Sequence, residues 1–191
     1  MKNSSAGDVR VAYPLFQVGG GGSIPTSALD FSIDEIQRDF AVKLNKLWHS
    51  RLPEYRMGCR PAQHAWVCYG AMYADRCYAI AIWSHPNSRV LDDGKTLELR
   101  RMAIAPDTPA NTASRMLRIM RILIERYNLF KRLISYQDTE AHTGTIYKAA
   151  GWHKAAENNA MDYSLNGKRS RPKQKHMARK IRWELEIKEN R

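Results

Sequence analysis

The sequence has few cysteines and no long apolar run, and both shortages restrict the classes of protein to which it can belong. Its 191 residues include three cysteines, an odd number whose spacing matches no common zinc motif. We interpret Cys68 and Cys77, which lie in apolar strand-like runs, as buried free thiols rather than ligands or disulfide partners. No apolar stretch approaches the roughly 18 residues that cross a membrane, and residues 1–10 lack the apolar stretch of a secretory signal. We therefore expect a cytoplasmic protein with no membrane partner.

Acidic residues are also scarce, because 19 Asp and Glu stand against 31 Lys and Arg, which gives a formal charge of +12. A charge of this size favours a polyanionic partner. The segment from Lys168 to Arg182 contains basic residues and no acid. We predict that it contacts the phosphates of double-stranded DNA, although a solvated tail would have the same composition. The predicted DNA contacts are Arg51, Lys168, Arg169, Arg171, Lys173, Lys175, Arg179 and Lys180.

Hydrophobic periodicity predicts an α/β chain with one folded domain. We expect a flexible N-terminal arm over residues 1–26, the domain over 27–165 and a basic extension, partly a strand, over 166–191. On the strand that begins at Thr96, Leu99 and Arg101 should share one face. The predicted helices run from about Asp34 to Trp48, Thr112 to Tyr127 and Thr143 to Ala150. The predicted strands are Ala65–Tyr73, Cys77–Trp83, Thr96–Ala105, Lys131–Tyr136, Met161–Leu165 and Ile181–Ile187.

A loop of small and hydroxylic residues, from Asp107 to Ser114, leads directly into the second predicted helix. Backbone amides at the start of a helix can hold phosphate groups. Arg115 and Arg118 follow on that helix and add positive charge. The loop is therefore a candidate seat for a pyrophosphate. Asn, Thr and Ser also cap ordinary helices, so capping alone is the alternative interpretation.

The run from Tyr147 to Trp152 resembles the ending of Gcn5-related N-acetyltransferases: a tyrosine, three residues, a glycine and an aromatic residue. The resemblance implies an acetyltransferase-like α/β (α+β) fold, with a mixed, mostly antiparallel central sheet flanked by helices. It also implies that Tyr147 faces the thioester of acetyl-CoA and can protonate the departing thiolate. A core aromatic is the alternative role. The usual Arg/Gln-x-x-Gly-x-Gly/Ala phosphate loop of that superfamily is absent, and Asn111 to Ser114 stands in its place.

Several further segments resemble the Mom family of phage DNA-modification proteins, and together they cover roughly Phe31 to Trp152. The resemblance implies an enzyme that uses acetyl-CoA to modify adenine N6 in DNA, with carbamoylmethylation as the family reaction and protection from restriction enzymes as its purpose. The segments are Trp48–Arg51, Leu97–Ala103, Pro109–Leu117, Ile134–Asp138 and Ala141–Trp152.

Carried over to this sequence, the resemblance assigns Arg101 and Ser114 to the CoA. Arg101 would pair with a phosphate, and its alternative role is a salt bridge to Glu98 or Asp107. Ser114 would donate to the pyrophosphate, and its alternative role is that of a first-turn serine. The full set of predicted cofactor-binding residues is Arg101, Met102, Ala103, Asn111, Thr112, Ala113, Ser114, Arg115 and Tyr147.

Asp138 follows a predicted strand and is a candidate base for the adenine amine. His49 is a further catalytic candidate beside Tyr147 and Asp138. The resemblance also implies iron as a candidate cofactor, for which His49, Asp138 and His142 would form a two-histidine, one-carboxylate set. A hydrogen-bonded loop residue is the alternative for each histidine.

Three functions remain open from the sequence. The first is a CoA-dependent DNA base modifier. The second is an N-acetyltransferase that acts on a protein, a small amine or an amino-modified DNA base, which would not need the basic tail. The third is a nucleic-acid-binding protein on an inactive acetyltransferase scaffold.

Overall fold

The computed structural model describes residues 24–52, 54–55, 65–158 and 179–187. Several predictions lie outside these ranges. They are the arm before residue 24, the strand at Met161–Leu165, Cys59 and the basic residues from Lys168 to Lys175.

A mixed sheet of seven strands organises the described part of the chain, in the order β1-β2-β3-β4-β5-β7-β6. Within it, β4 and β5 run parallel, and the other neighbours are antiparallel. The predicted mixed, mostly antiparallel sheet is therefore confirmed. The strands are β1 (Ser32–Glu35), β2 (Val67–Tyr73), β3 (Arg76–Ser84), β4 (Thr96–Ile104), β5 (Arg132–Asp138), β6 (His153–Asn158) and β7 (Lys180–Glu186).

Helices cover both faces of the sheet. The helices are α1 (Arg38–Trp48), α2 (Thr112–Glu125) and α3 (Thr145–Ala149), and a 3-10 turn spans Ala28–Asp30. On one face, the α1 face, Leu44 packs with Ile80 and Ile82 of β3. On the other, the α2 face, the larger core contains Met116 and Met120 of α2. Both helices follow the usual rule that one apolar stripe is buried against a sheet.

The first helix begins later than its apolar pattern predicts. Ser32–Glu35 forms β1, in which Ile33 is buried and its neighbours are exposed, and the strand pairs with β2. The alternation of a half-buried strand overlaps the start of the helical pattern, so the predicted start near Asp34 is wrong. The helix runs from Arg38 to Trp48.

The C-terminal strand lies inside the sheet. β7 pairs with β5 on one side and with β6 on the other. β6, the sequence His153–Asn158, was not predicted, because it is a polar edge strand with no apolar alternation. Cys68 and Cys77 are buried free thiols, as expected.

A bulge in β4 changes which side chains share a face. Ile82 pairs with Arg101, whereas the next residue of β3 pairs with Leu99, so Arg100 is an extra residue in β4. A bulge of one residue reverses the alternation beyond it. Met102 consequently packs with Leu99 against the α2-face core, and Arg101 lies on the α1 face. The prediction that Leu99 and Arg101 share a face is wrong for this reason.

β4 and β5 diverge along their length. Their described pairing begins at Thr96 and Arg132 and ends at Leu99 and Ser135. β4 nevertheless continues to Ile104, and β5 continues beyond Ser135 beside β7. Beyond this last pair the two strands leave a wedge-shaped opening in the middle of the sheet, and the candidate site lies there.

Candidate active site

A cleft of about 270 Å³ lies between the start of α2 and α3. It contains Asn111 to Ser114, four of the residues predicted to bind the cofactor. The cleft is lined by Ile104, Thr108, Pro109, Ala110, Asn111, Thr112, Ala113, Ser114, Thr145, Ile146 and Ala149.

The start of α2 is not capped by the side chain of its first residue. Asn111 adopts a left-handed conformation with φ of 68°, and its side chain makes no capping hydrogen bond. The hydroxyls of Thr112 and Ser114 donate backward, to the carbonyls of Pro109 (2.8 Å) and Asn111 (3.0 Å). The first amides of a helix have no acceptor within the helix. Those at the start of α2 therefore remain available to an anion in the cleft.

Several residues that the sequence assigned to the cofactor lie elsewhere. The Nη1 of Arg115 donates to the carbonyl of Phe31 over 2.8 Å, which ties α2 to the segment before β1. Met102 packs against the α2-face core, and Ala103 is buried on the α1 face. None of these three side chains lines the cleft, so the structure does not bring them together with Ser114.

Arg101 also lies away from the cleft, on the α1 face. Its guanidinium lies 5.7 Å from the ring of Tyr55, and burial is the main cause that lowers the pKa of Arg101. The two acids that could have paired with it are engaged by other arginines: Glu98 by Arg100 (3.5 Å) and Asp107 by Arg76 (4.0 Å). The bulge in β4 explains this position, because it turns Arg101 away from the face that carries α2.

Tyr147 lies at the point where β4 and β5 separate. Its hydroxyl is 2.9 Å from Oγ of Ser135, and Ser135 is in the last residue pair between the two strands. The ring of Tyr147 stacks on Trp183, with centroids 5.4 Å apart and an interplanar angle of 15°. Burial raises the pKa of Tyr147, and the hydrogen bond to Ser135 offsets part of that effect. The phenol therefore keeps its proton at neutral pH.

The loop before α3 is held by buried side chains that the sequence did not single out. Gln137 donates through Nε2 to the carbonyl of His142 over 2.6 Å, and its Oε1 accepts from Nε1 of Trp183 over 2.8 Å. Gly144 has a φ of 76°, which suits glycine. This arrangement fixes His142 with its ring centroid 6.0 Å from that of Tyr147.

Asp138 is paired with an arginine that was predicted to contact DNA. The Nη1 of Arg51 lies 3.1 Å from Asp138 and 3.3 Å from Glu140. The contact joins the segment after α1 to the end of β5, across the opening between β4 and β5. Asp138 is therefore beside a cation, in the region where a proton acceptor was expected.

The three predicted iron ligands do not form a metal site. Among the residues that the structure describes, no group of three or more His, Cys, Asp and Glu could hold a metal ion. The Nδ1 of His49 accepts from the backbone amide of Leu52 (3.0 Å), and Asp138 pairs with Arg51. Burial lowers the pKa of both His49 and His142. The predicted set of His49, Asp138 and His142 is corrected accordingly.

Three of the predicted DNA contacts are described: Arg51, Arg179 and Lys180. Arg179 pairs with Glu157 of β6, and Lys180 is exposed opposite Asp138 in the ladder between β5 and β7. The basic ends of these strands thus lie at the same end of the sheet as the Arg51–Asp138 pair.

No helix among the described residues is long and apolar enough to cross a membrane.

The sequence profile of the Mom protein family matches residues 30–190. The chain belongs to the Mom protein family. The match extends through β7, beyond the part of the sequence in which the resemblance was strongest. No curated protein matches this Mom-family sequence.

Solved acetyltransferases share the fold of this Mom-family chain. An acetyltransferase of Bacillus subtilis in complex with CoA has a TM-score of 0.58 and 10% identity, over 82% of this chain and 99% of its own. A GNAT family acetyltransferase of Elizabethkingia anophelis with acetyl-CoA bound has a TM-score of 0.56 and 14% identity, over 83% and 99%. An N-acetyltransferase of Staphylococcus aureus has a TM-score of 0.56 and 11% identity, also over 83% and 99%. The predicted acetyltransferase-like fold is therefore confirmed.

Proposed function

We propose that this Mom-family chain is an acyl-CoA-dependent transferase that modifies adenine N6 in DNA, with carbamoylmethylation as the family reaction. The observation that carries the proposal is the uncapped start of α2, which opens into a cleft that the end of β4 and α3 also line. Two of the solved structures with this fold contain CoA or acetyl-CoA. Their ligands support the same class of donor for this chain.

The pyrophosphate of acetyl-CoA would bind at the first turn of α2. The amides of Ala113 and Ser114 are there, and an anion at the start of a helix interacts favourably with its dipole. From that position the pantetheine arm would run along the edge of β4 beyond Leu99. This edge has no described pairing with β5, so its backbone groups are free to bond the amides of the arm.

The acyl transfer requires one proton to leave the acceptor amine and one to reach the sulfur. The amine nitrogen would attack the thioester carbonyl, the new C–N bond would form and the C–S bond would break. Tyr147 is neutral at pH 7 and has a proton to give to the thiolate. Asp138 is the candidate acceptor of the amine proton. This step yields an N6-acetyl adenine. In a carbamoylmethyl group N6 is bonded to the methylene carbon and the carbonyl is bonded to a second nitrogen, so the family product requires, beyond this acyl transfer, a nitrogen donor, a two-electron oxidant and a rearrangement of the bonds to N6.

Double-stranded DNA as the acceptor is supported by the charge of +12 and by the basic segment from Lys168 to Lys180. Cations of this kind would hold the phosphates. The amine of an adenine inside a duplex cannot enter an opening in a sheet, so the base would be extruded from its stack. Arg51, at the rim of the opening, would exchange its carboxylate partners for a phosphate in the complex.

The proposal is tested by the DNA of bacterial cells that express the full chain. The DNA is digested to nucleosides and compared by mass spectrometry with DNA from cells that express Tyr147→Phe. A modified adenine in the first sample, strongly reduced in the second, is expected, together with resistance of the first DNA to restriction enzymes. Expression of folded protein without any new nucleoside would overturn the proposal.

An N-acetyltransferase for a protein or a small amine is the second candidate, because the Staphylococcus aureus protein with this fold is an N-acetyltransferase. Such an activity does not depend on the basic segment. Charge reversal at Lys173, Lys175 and Arg179 would then leave turnover intact, whereas a DNA modifier would lose it. The charge reversals are preferable to deletion of the segment, since β7 is an interior strand of the sheet.

A further inference from the structure

A buried group of charged and polar side chains lies on the α1 face, beside the opening between β4 and β5. Its position follows from the register: Ile134 pairs with Glu98 of β4 on one side and with Glu184 of β7 on the other. Tyr136 and Arg182, one step further along, are also opposite each other. We call this group the polar floor, and its members are Glu98, Arg100, Tyr136, Arg182 and Glu184.

The acids of the polar floor are buried and paired with arginines. Glu98 is 7% exposed and Glu184 is 9% exposed. Nη1 of Arg100 is 3.5 Å from Glu98, and Nε of Arg182 is 2.8 Å from Glu184. The backbone amide of Asn87 donates to the second oxygen of Glu98. Burying two ion pairs side by side is costly unless their remaining donors and acceptors are satisfied.

The paired atoms themselves are not satisfied by hydrogen bonds. Nη1 of Arg100, Nε of Arg182 and Oε1 of Glu184 are buried and have no hydrogen-bond partner among the described residues. The ion pairs therefore lack the geometry of hydrogen bonds. Buried polar atoms in native proteins nearly always have partners, and exceptions often mark places where a ligand or water belongs. Arg100, Tyr136 and Arg182 are only half-buried, so the group can be reached from outside.

The polar floor is opposite Tyr147 across the sheet. Ser135 and Trp183, the partners of Tyr147, belong to the α2 face, whereas Tyr136 and Arg182 are the next residues along the same strands and project to the α1 face. An acyl group in the opening between β4 and β5 would therefore have Tyr147 on one side and the polar floor on the other. A nucleophile that approaches from the α1 face meets the polar floor first.

We propose that the polar floor binds the acceptor as a neutral, planar heterocycle with hydrogen-bond donors and acceptors on its edge, which in DNA is an extruded base. The inference rests on the proposed function for the identity of the polymer. The charges of Glu98 and Arg100 offset each other, as do those of Arg182 and Glu184, so each pair is neutral in itself. The charges of Arg101 and Lys180 also act on Glu98, but Arg101 lies beside Tyr55 and Lys180 is exposed opposite Asp138. The polar floor thus has no excess of carboxylate with which to bind a protonated amine.

The donors and acceptors of the polar floor that make no hydrogen bond match the hydrogen-bonding edge of a base. The arginines offer N–H donors, and Oε1 of Glu184, which accepts no hydrogen bond, offers an acceptor. The phenol of Tyr136, which also interacts with Arg182, can donate and accept. An amino group next to a ring nitrogen, as in adenine, requires one acceptor and one donor side by side. Such a site also discriminates strongly, because a wrong base would leave these buried groups unpaired.

The test uses the full chain with Glu184→Gln, Arg182→Gln and Tyr136→Phe, and with Arg121→Gln as the matched control. Arg121 pairs with Glu125 on α2, away from the polar floor. For each variant, kcat/KM with duplex DNA, the affinity for acetyl-CoA and the affinity for DNA are measured. We expect kcat/KM for DNA to fall at least about tenfold in the three variants. The affinities for acetyl-CoA and for DNA should stay within about twofold, since phosphates dominate DNA affinity.

A second measurement separates this inference from the proposed function. The fluorescence of a duplex with 2-aminopurine in place of the adenines of one strand rises when the base leaves the stack. The wild-type chain and Arg121→Gln should raise it, and the three variants should not. Wild-type protein that forms no DNA adduct would overturn the proposed function. The fluorescence of the wild type compared with that of the three variants would still show whether the polar floor binds an extruded base. Variants that match the wild type in both fluorescence and kcat/KM would overturn the inference alone.

Discussion

The hydroxyl of Tyr147 and Oγ of Ser135 lie 2.9 Å apart, and Ser135 is in the last residue pair before β4 and β5 separate. This contact joins the short helix α3 to the point at which β4 and β5 separate. Oγ of Ser135 also lies 3.4 Å from the carbonyl of Leu99. A Ser135 hydroxyl that donates to that carbonyl accepts a hydrogen bond from the phenol of Tyr147. This hydrogen bond orients the phenol at the centre of the proposed reaction.

Tyr147→Phe should lower kcat by about 100-fold and leave the affinity for acetyl-CoA unchanged, because it removes a proton donor and retains the ring that stacks on Trp183. Ser135→Ala should have a smaller effect, of about tenfold or less, since the phenol remains but loses its orientation. Tyr127→Phe is the control, because that hydroxyl bonds to Glu35 on the exposed surface. Steady-state kinetics and calorimetric titration with acetyl-CoA measure the effects, and wild-type kcat in Tyr147→Phe would refute the role.

Ser114→Asp should separate helix stability from cofactor binding. The new carboxylate would lie in the first turn of α2, where a negative charge is favourable by about 0.3–1 kcal/mol. The same charge would repel a pyrophosphate in the cleft, so the Kd for acetyl-CoA should rise by about tenfold or more. Ser114→Ala, which removes only the bond to the carbonyl of Asn111, should change the Kd far less. Equal Kd values for Ser114→Asp and the wild type would mean that the pyrophosphate binds elsewhere.

Gly144→Ala should destabilise the chain more than Gly94→Ala, although both glycines have similar positive φ angles of 76° and 71°. A Cβ on Gly94 meets nothing within 4 Å, so only backbone strain of about 1 kcal/mol is expected there. A Cβ on Gly144 would collide with Gln137 and would lie 2.8 Å from the ring of Trp183. The free energy of unfolding should fall by about 3 kcal/mol or more. Urea unfolding measures both, and equal losses would show that the loop can move away.

The fold was predictable from the sequence wherever one periodicity dominated over the length of an element. The apolar stripe of α2 and the strand that became β3 are examples, since each has a single clear repeat. The boundary between β1 and α1 was not predictable, because residues near Asp34 fit both a strand pattern and a helical pattern. Nor was β6, whose polar sequence forms a strand only because β7 provides a partner.

The grouping of candidate residues was predictable where they are contiguous in sequence. Asn111 to Ser114 lie together in the cleft because the loop leads directly into α2, and their binding of the cofactor stays a prediction. Arg101 was misplaced because a bulge at Arg100 is a property of strand pairing, which leaves no mark in the sequence of β4. Ser135 and Gln137 were missed for a related reason: their partners are brought to them by the fold.

Acidification from about pH 7 to about pH 5 should lower the stability of the chain. Burial lowers the pKa of His49, with Arg101 contributing, and burial also lowers that of His142, partly offset by Asp138. Below about pH 6.5 the unfolded chain therefore binds protons that the folded chain does not. The free energy of unfolding accordingly decreases as the pH is lowered. His49→Gln with His142→Gln should reduce the difference between urea unfolding curves at the two pH values. An unchanged difference in the double variant would assign the effect to other groups.

The transfer of label from acetyl-CoA to DNA tests the central claim most directly. Purified full-length chain is incubated with duplex DNA, a nitrogen donor and an oxidant supplied by aerated cell extract, and acetyl-CoA that carries heavy carbon at both acetyl positions. The DNA is then digested and its nucleosides are weighed by mass spectrometry. The account predicts an adenine nucleoside that contains both heavy carbons and is strongly reduced with Tyr147→Phe. An adenine adduct without heavy carbon, or labelled carbon only on protein, would contradict it.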